Sequence, residues 1–482
     1  MRSLALSLLV VVTACNMGPK YKRPDMPEKP TAGYKENVAG SDEAQEGGWR
    51  MASPSDELLR GKWWETFGEP DLNALEARLV LDNQNIKAQF ENYMAARAAV
   101  RANIAQLYPQ VSIGAGATDR GTSNGDIATF NLPLNVTWEP DLFSRIRNTV
   151  LQAENNAQVS AAQLAGVMLS EQASLAEYYF QLRGQDAILK IYEGTIANFK
   201  ESLRLTRVLA RTGIDSEQDV VQAELTLHNA EANQSSFVNV RAQYEHAIAL
   251  LVGTSASGFG VNAMPIEVRV PNVPVGVPSQ LLERRPDIAA AERQMAAANA
   301  LIGVGKAAYY PDITLSAGIG TTAASVGKLF SAGTNYWSVG GDANQKLIDF
   351  GARRSTVAQY EAQYRGTVAN YRQTVLTAFR EVEDYLVGSR QLSEQSQRQK
   401  RAVAAAELYE KMANTRYKTG VDDYLNVITA QTNLLNGRQS LVNTQVNQMV
   451  TAVRLVAALG GGWDTKKLPT IKDVSRGAPS LP

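Results

Sequence analysis

Residues 211–215 read Arg211-Thr212-Gly213-Ile214-Asp215, and residues 418–422 read Lys418-Thr419-Gly420-Val421-Asp422. A cation, a threonine, a glycine, a branched aliphatic and an aspartate recur in the same order about 207 residues apart. Sliding the chain against itself around this pair extends the match in both directions. Upstream, Phe143 meets Phe350, Arg147 meets Arg354, Glu154 meets Glu361, Tyr178 meets Tyr385 and Arg183 meets Arg390. Downstream, Val220 meets Val427, Leu227 meets Leu434 and Gly253 meets Gly460. Nearer the amino end the offset is about 202, aligning Ile86 with Ile288, Tyr108-Pro109 with Tyr310-Pro311 and Ala115-Gly116 with Ala317-Gly318. The change of register falls where loops are expected. The 482-residue chain therefore holds two copies of one unit, about 86–253 and 288–460.

Each copy reads in four steps. An alanine-rich helical stretch, about 85–107 or 287–309, halts at Tyr-Pro, because the residue before proline is pushed out of the helical region. Alternating stretches follow, within about 110–138 and 312–346. Val111, Ile113, Ala115, Ala117, then Phe130, Leu132, Leu134, Val136 and Trp138 alternate with small or polar residues; period-two alternation marks strands with one apolar face, in soluble sheets and membrane barrels alike. A very long helical pattern comes next, about 146–210 and 353–417, free of proline. After the Thr-Gly punctuation, at tip turns 211–215 and 418–422, a shorter one covers about 216–252 and 423–459. Ile428, Leu435, Val442, Met449 and Val456 recur every seven residues in the last, the spacing that supercoils packed helices.

A helix of some 65 residues is roughly 100 Å long. The two shorter helices of a copy, end to end, nearly match it, so the strands collect at one end of the rod and the Thr-Gly turns at the other. Two hairpins give four strands. Four cannot close a barrel, and lipid forbids an open sheet edge. Membranous strands would therefore require association, eight strands from two copies or twelve from three. A soluble helical rod with small hairpins is the alternative.

Outside the copies lie a proline-rich leader, within 15–85, a Gly/Pro-rich connector at 254–287 and a tail at 461–482. Residues 1–14 read as a signal peptide: Arg2, an apolar run too short to span a bilayer, then Thr13-Ala14 before Cys15, the only cysteine. "VTAC" resembles a lipoprotein cleavage site, which implies acylation of Cys15 (diacylglyceryl on sulfur, a further acyl chain such as palmitate on the new amino end). Asn16 rather than an aspartate follows it, and by resemblance to lipoprotein sorting this favours the outer membrane over the inner; an ordinary secretory signal is the alternative. Lys+Arg equals Asp+Glu at 48 each, so no basic stripe advertises nucleic acid. His228 and His246 stand roughly 27 Å apart on one helix and cannot share a metal. Gly318-Ile319-Gly320 lies in a strand pattern with no helix opening after it, and "RQKR" at 398–401 reads as a solvated helix face. No nucleophile elbow, P-loop or Cys/His cluster suggests an enzyme or a cofactor.

The stretches "WWETFGEPDLNALEARLVLDNQNIKAQFENYMAARA" (63–98), "PSQLLERRPDIAAAE" (278–292) and "YFQLRG" (179–184), with the paired turns and the cysteine site, resemble the outer membrane factor family of tripartite efflux systems, the TolC-like channels, in its OprM-like lipoprotein branch. That resemblance implies a mainly α fold with a transmembrane part: a homotrimer pooling twelve strands in one β-barrel, continued by a twelve-helix periplasmic α-barrel and belted by leader, connector and tail. It also implies a passive exit duct for drugs or other small toxic compounds, with a periplasmic adaptor protein and an inner-membrane pump as partners. A type I protein-secretion duct is the rival within transport; a lipid-anchored periplasmic coiled-coil scaffold without a pore is the rival outside it. The tip turns Arg211, Thr212, Gly213 and Lys418, Thr419, Gly420 map onto the adaptor-docking end. Tyr417, Asp422 and Asp423 are the candidates for narrowing the periplasmic mouth. N-capping competes with that role at Asp422, as at its counterpart Asp215, because aspartate is a favoured cap; Asp423 is the freer to face a lumen. Asn426 and Thr429 stand where related channels often carry further aspartates.

Overall fold

The computed structural model describes residues 16–24, 34–36, 61–123, 125–213, 215–266, 270–271 and 284–476. The signal peptide and Cys15 lie outside the described residues. After a 3-10 turn at Trp63–Phe67, helix α1 covers Pro70–Asp82 and α2 covers Gln84–Ala105. Proline at the first turn starts α1 at no hydrogen-bond cost. The Asn83 side chain, accepting from the Ile86 amide at 3.0 Å, caps α2. Strands β1 (Gln110–Ile113), β2 (Gly116–Thr122) and β3 (Gly125–Trp138) precede α3 (Arg145–Arg211) and α4 (Glu217–Leu251). The second half repeats the order with α5 (Pro286–Ala307), β4 (Asp312–Ala323), β5 (Asn335–Asn344), α6 (Ala352–Lys418) and α7 (Tyr424–Ala458). A five-residue helix α8, Ile471–Ser475, closes the described chain. Equivalent helices have equal lengths in the two halves: 67 residues for α3 and α6, 35 for α4 and α7, 22 for α2 and α5.

The long helices lie side by side. α2 and α4 pack end to end along one flank of α3, α5 and α7 along its other flank, and α6 beyond them. The heptad residues of α7 are all buried, Met449 and Val456 completely. α3 and α7 approach closely at Gly184, where an added Cβ would stand 2.3 Å from a Val446 methyl.

All the described strands form one antiparallel sheet. β3 pairs with β1 and β2 on one side and with β4 on the other, and β4 pairs with β5. β1 and β2 behave as one interrupted strand, since the Gly114 amide still reaches the Pro133 carbonyl at 2.9 Å. Residues opposite one another in such a ladder share a face. Val111, Val136, Ala317 and Val339 therefore form one row across the sheet, and Ile113, Leu134, Ile319 and Trp337 another. The intervening rows are Ser112, Asn135, Gly318, Ser338 and Gln110, Thr137, Ser316, Gly340.

Candidate functional site

Among the described residues, nothing covers the apolar face of this sheet. Trp337 is 77% exposed and Val339 76%, and Ile113, Val111 and Ile319 are open as well. The apolar positions of β3 run from Phe130 to Trp138, close to the roughly 9–11 residues that a tilted transmembrane strand needs. The opposite face carries glycine, serine and asparagine, which take little room. Among the described strands, β1/β2 and β5 are left as unpaired edges. Among the described residues no helix is long and apolar enough to cross a membrane.

At the far end of the long helices the two repeated turns are built alike. Gly213 has φ +76° and Gly420 φ +70°, the left-handed conformation that other residues adopt only at a cost. Open space surrounds the site of a Cβ at both, so the backbone alone demands glycine. The Gly213 amide returns to the Ala210 carbonyl and the Gly420 amide to the Tyr417 carbonyl. Thr212 and Thr419 spend their hydroxyls on carbonyls of their own helices, at 2.8 Å to Leu209 and 3.0 Å to Arg416. Arg211 and Lys418 are exposed.

The caps fall one residue later than Asp215 and Asp422. Ser216 caps α4, with Asp219 completing a capping box, and Asp423 occupies the cap position of α7 without using its side chain. Ser216 and Asp423 have the extended backbone of a cap residue, so neither Asp215 nor Asp422 holds the cap position. Asp215 instead accepts a short hydrogen bond from the Tyr417 hydroxyl. Asp422 accepts from Arg416 Nε at 3.1 Å and from Asn426 Nδ2 at 2.5 Å. The Asn426 amide first, then the Arg416 guanidinium, hold its carboxyl below the usual aspartate range. Tyr417 is buried, 2.9 Å from Thr206 Oγ1 and tilted against the Tyr424 ring at 5.4 Å. Burial, then the bond to Asp215, raise its hydroxyl pKa; burial pushes Tyr424 up to about 12. Tyr417 thus ties the α6–α7 hairpin to the α3–α4 hairpin, whereas the Arg416–Asp422–Asn426 cluster stays within one hairpin. Asp423 is exposed, as are Val421 and Leu425 beside it. Asp215 lay inside the repeated motif, but nothing in the sequence pairs it with a tyrosine 202 positions away.

Midway along the rod a belt packs on α3. Trp63, Phe67, Leu72 and Leu79 are buried against Leu175, Tyr179 and Phe180 of α3, Ile248 of α4 and Met449 and Val453 of α7. Arg183 anchors it, bonded to Asp71 at 2.6 Å and to the Asn262 carbonyl at 2.5 Å and facing Asp186 at 3.4 Å, with its guanidinium over the Tyr179 ring. Asp186 also receives Arg241 at 2.6 Å and the Met264 amide at 2.9 Å, which pins the connector to the rod.

Residues 16–23 and 469–476 are both strapped to the strand-proximal half. Asn16 accepts from Asn148 Nδ2 at 3.2 Å in the first turn of α3, and the Pro19 carbonyl accepts from Asn299. Tyr21 reaches Glu292, and Arg23 reaches the Tyr371 hydroxyl at 2.6 Å. On the other half of the repeat, Gln158 holds the Pro469 carbonyl, Arg97 holds those of Asp473 and Arg476, and Val474 is fully buried beside Tyr93 and Val100. Arg97 and Asn299 are equivalent positions of the two copies. Each carries a terminal segment by donating to its backbone.

A sheet with an uncovered apolar face and two free edges, set on helices of roughly 100 Å, defines a protomer of an outer-membrane channel. Residues 75–254 and 277–461 match the outer membrane efflux protein family. The antibiotic efflux pump outer membrane protein ArpC of Pseudomonas putida is 31% identical over 475 residues, covering 96% of this chain and 95% of its own. The cation efflux system protein CusC of Escherichia coli is 28% identical over 469 residues, covering 95% and 98%. The solved outer-membrane channel OprN superposes with a TM-score of 0.84 at 29% identity, over 93% of this chain and all of that one. The chain belongs to the outer membrane efflux protein family, and it is an efflux duct of the outer membrane reaching into the periplasm.

Proposed function

We propose that three copies close head to tail into one ring: β5 and α6 of each protomer meet β1/β2, α2 and α4 of the next, giving a twelve-stranded barrel continued by a twelve-helix tunnel. The observation that carries this reading is the sheet with rows four strands wide, its uncovered apolar face and its two unpaired edges. An unpaired edge is intolerable in lipid, and a heterologous contact whose rotation closes makes a ring. The duct is passive and performs no catalysis; an inner-membrane pump supplies the energy through a periplasmic adaptor. Its cargo is drugs or other small toxic compounds, unselected by any pocket, since the polar sheet face is lined by glycine and serine. ArpC and CusC, named for antibiotics and a cation, support a scaffold that is indifferent to cargo.

The adaptor docks on Arg211, Thr212, Gly213, Lys418, Thr419 and Gly420. Asp423 and Asp422 narrow the mouth, and Tyr417 holds it shut from behind through Asp215. The signal 1–14 is removed and Cys15 carries the lipid. Asn16, beside the first turn of α3 and so at the foot of the sheet, supports that assignment by its height. Reconstitution into planar bilayers tests the whole: the expected result is a trimer by mass that conducts, with higher closed-state conductance in Tyr417→Phe and Asp423→Ala. A trimer that stays silent after both substitutions overturns the channel reading. Cys15→Ala is expected to abolish lipid labelling.

A further inference from the structure

Glu76 lies in the middle of α1, between Leu72 and Leu79 on the face that the helix turns to the belt core, because residues three and four apart share a face. It is 0% exposed, and among the described residues neither carboxylate oxygen has a hydrogen-bond partner. Among the described residues, the Asp, Glu, Lys and Arg side chains on the surrounding elements are bonded elsewhere, and His246 of α4 is exposed. On α1, Asp71 holds Arg183, Arg78 reaches Thr254 and Asp82 faces Lys87. Before α1, Glu65 pairs with Lys62, and Glu69 accepts from Tyr179. On α3, Glu171 accepts from Asn83 and Asn85, and Glu177 holds Arg454. On α4, Arg241 and Glu245 hold the connector at Val261. A carboxylate unpaired in an apolar interior gives up its charge rather than remain ionised there; burial alone raises Glu76 to about 9.

We propose that α1 is a proton-dependent clasp, docked on α3 while Glu76 is the neutral acid and losing its hold as Glu76 ionises. The docked state binds one proton more than the released state, so release is favoured by rising pH. The effect builds between the ordinary carboxyl value of 4.5 and about 9. Below that window the clasp keeps its full strength. The same apolar cluster joins α1 to α3, α4 and α7, so the clasp grips both helical hairpins of the protomer at the belt. Alkaline conditions loosen that grip, and acid tightens it.

Hydrogen exchange on the full-length protein in detergent, corrected for the intrinsic pH dependence of exchange, tests this. Between pH 6 and pH 8 the opening constant of amides in 72–80 is expected to rise, approaching tenfold per pH unit. Amides 220–230 of α4, near the tip turns and away from the belt, are the control and are expected to stay unchanged. In Glu76→Gln and Glu76→Leu the rise is expected to vanish, with α1 protected at both pH values. Unchanged protection of wild-type α1 across this range overturns the proposal, and so does an equal rise in the two variants, which would place the proton on another group.

Discussion

Helices α3 and α6 are equal in length, each follows a strand, and each ends in a left-handed glycine turn, yet 25 of 67 residues are buried in α3 and 8 of 67 in α6. α3 is flanked on both sides and belted; α6 is the outer member of the layer. Equivalent positions of the repeat show what this does. Arg183 is 2% exposed and bonded on several sides; its counterpart Arg390 is 40% exposed and pairs with Glu36. Gly184 touches Val446 across a tight helix contact, and Gln391 replaces it on the open face of α6. One ancestral pattern thus gives a spine and an edge, and the environment rather than the pattern sets the energetic weight of each residue.

The largest test of that contrast is Arg183→Ala, which strips a buried carboxylate, Asp186, of one of its two cations. A loss of about 3–5 kcal/mol is expected in urea unfolding followed by helical circular dichroism. Gly184→Ala comes next, at about 1–3 kcal/mol from overpacking against Val446, and Val446→Ala in the same chain is expected to restore much of it. Gly213→Ala and Gly420→Ala should cost alike, about 1–2 kcal/mol each, since both replace a left-handed glycine in open space; unequal costs would reveal that the two turns differ in packing. The smallest effect is expected for Arg390→Ala, under about 1 kcal/mol, as for exposed ion pairs generally. A loss as large as that of Arg183→Ala would erase the distinction between spine and edge. At the tip, the Asp422 cluster is present above the ordinary aspartate value and is lost only as pH falls through the depressed one. Nuclear magnetic resonance titration of Asn426 side-chain amides should therefore show a midpoint below the free aspartate range.

Much of the fold was legible because it depends on short periods. The proline-free runs became the 67-residue helices, the sevens of α7 became buried positions, and alternation along β3 became an apolar row and a polar row. The glycine turns were legible because only backbone geometry is involved. For the aspartates beside them, capping competes in the sequence with narrowing the mouth; the cap positions fall one residue further on, at Ser216 and Asp423. Tyr417 carries no sign in the sequence that it is buried, because its partners, Asp215 and Thr206, come from the other copy. Glu76 is hidden for a similar reason: a glutamate in an amphipathic helix reads as solvent-facing unless the packing around it is known.

The sequence by itself determined that the chain is a duplication, which segments are helix and strand, where the helices turn back and that four strands cannot satisfy their own edges. These follow from local periodicity, backbone restrictions and counting. Only the tertiary structure decided that the first long helix is the spine and the second the edge, that residues 16–23 and 469–476 strap equivalent helix pairs, and that a tyrosine in one half bonds an aspartate in the other. Those outcomes rest on contacts between residues far apart in sequence, whose strength is set by burial and pairing that no local pattern encodes.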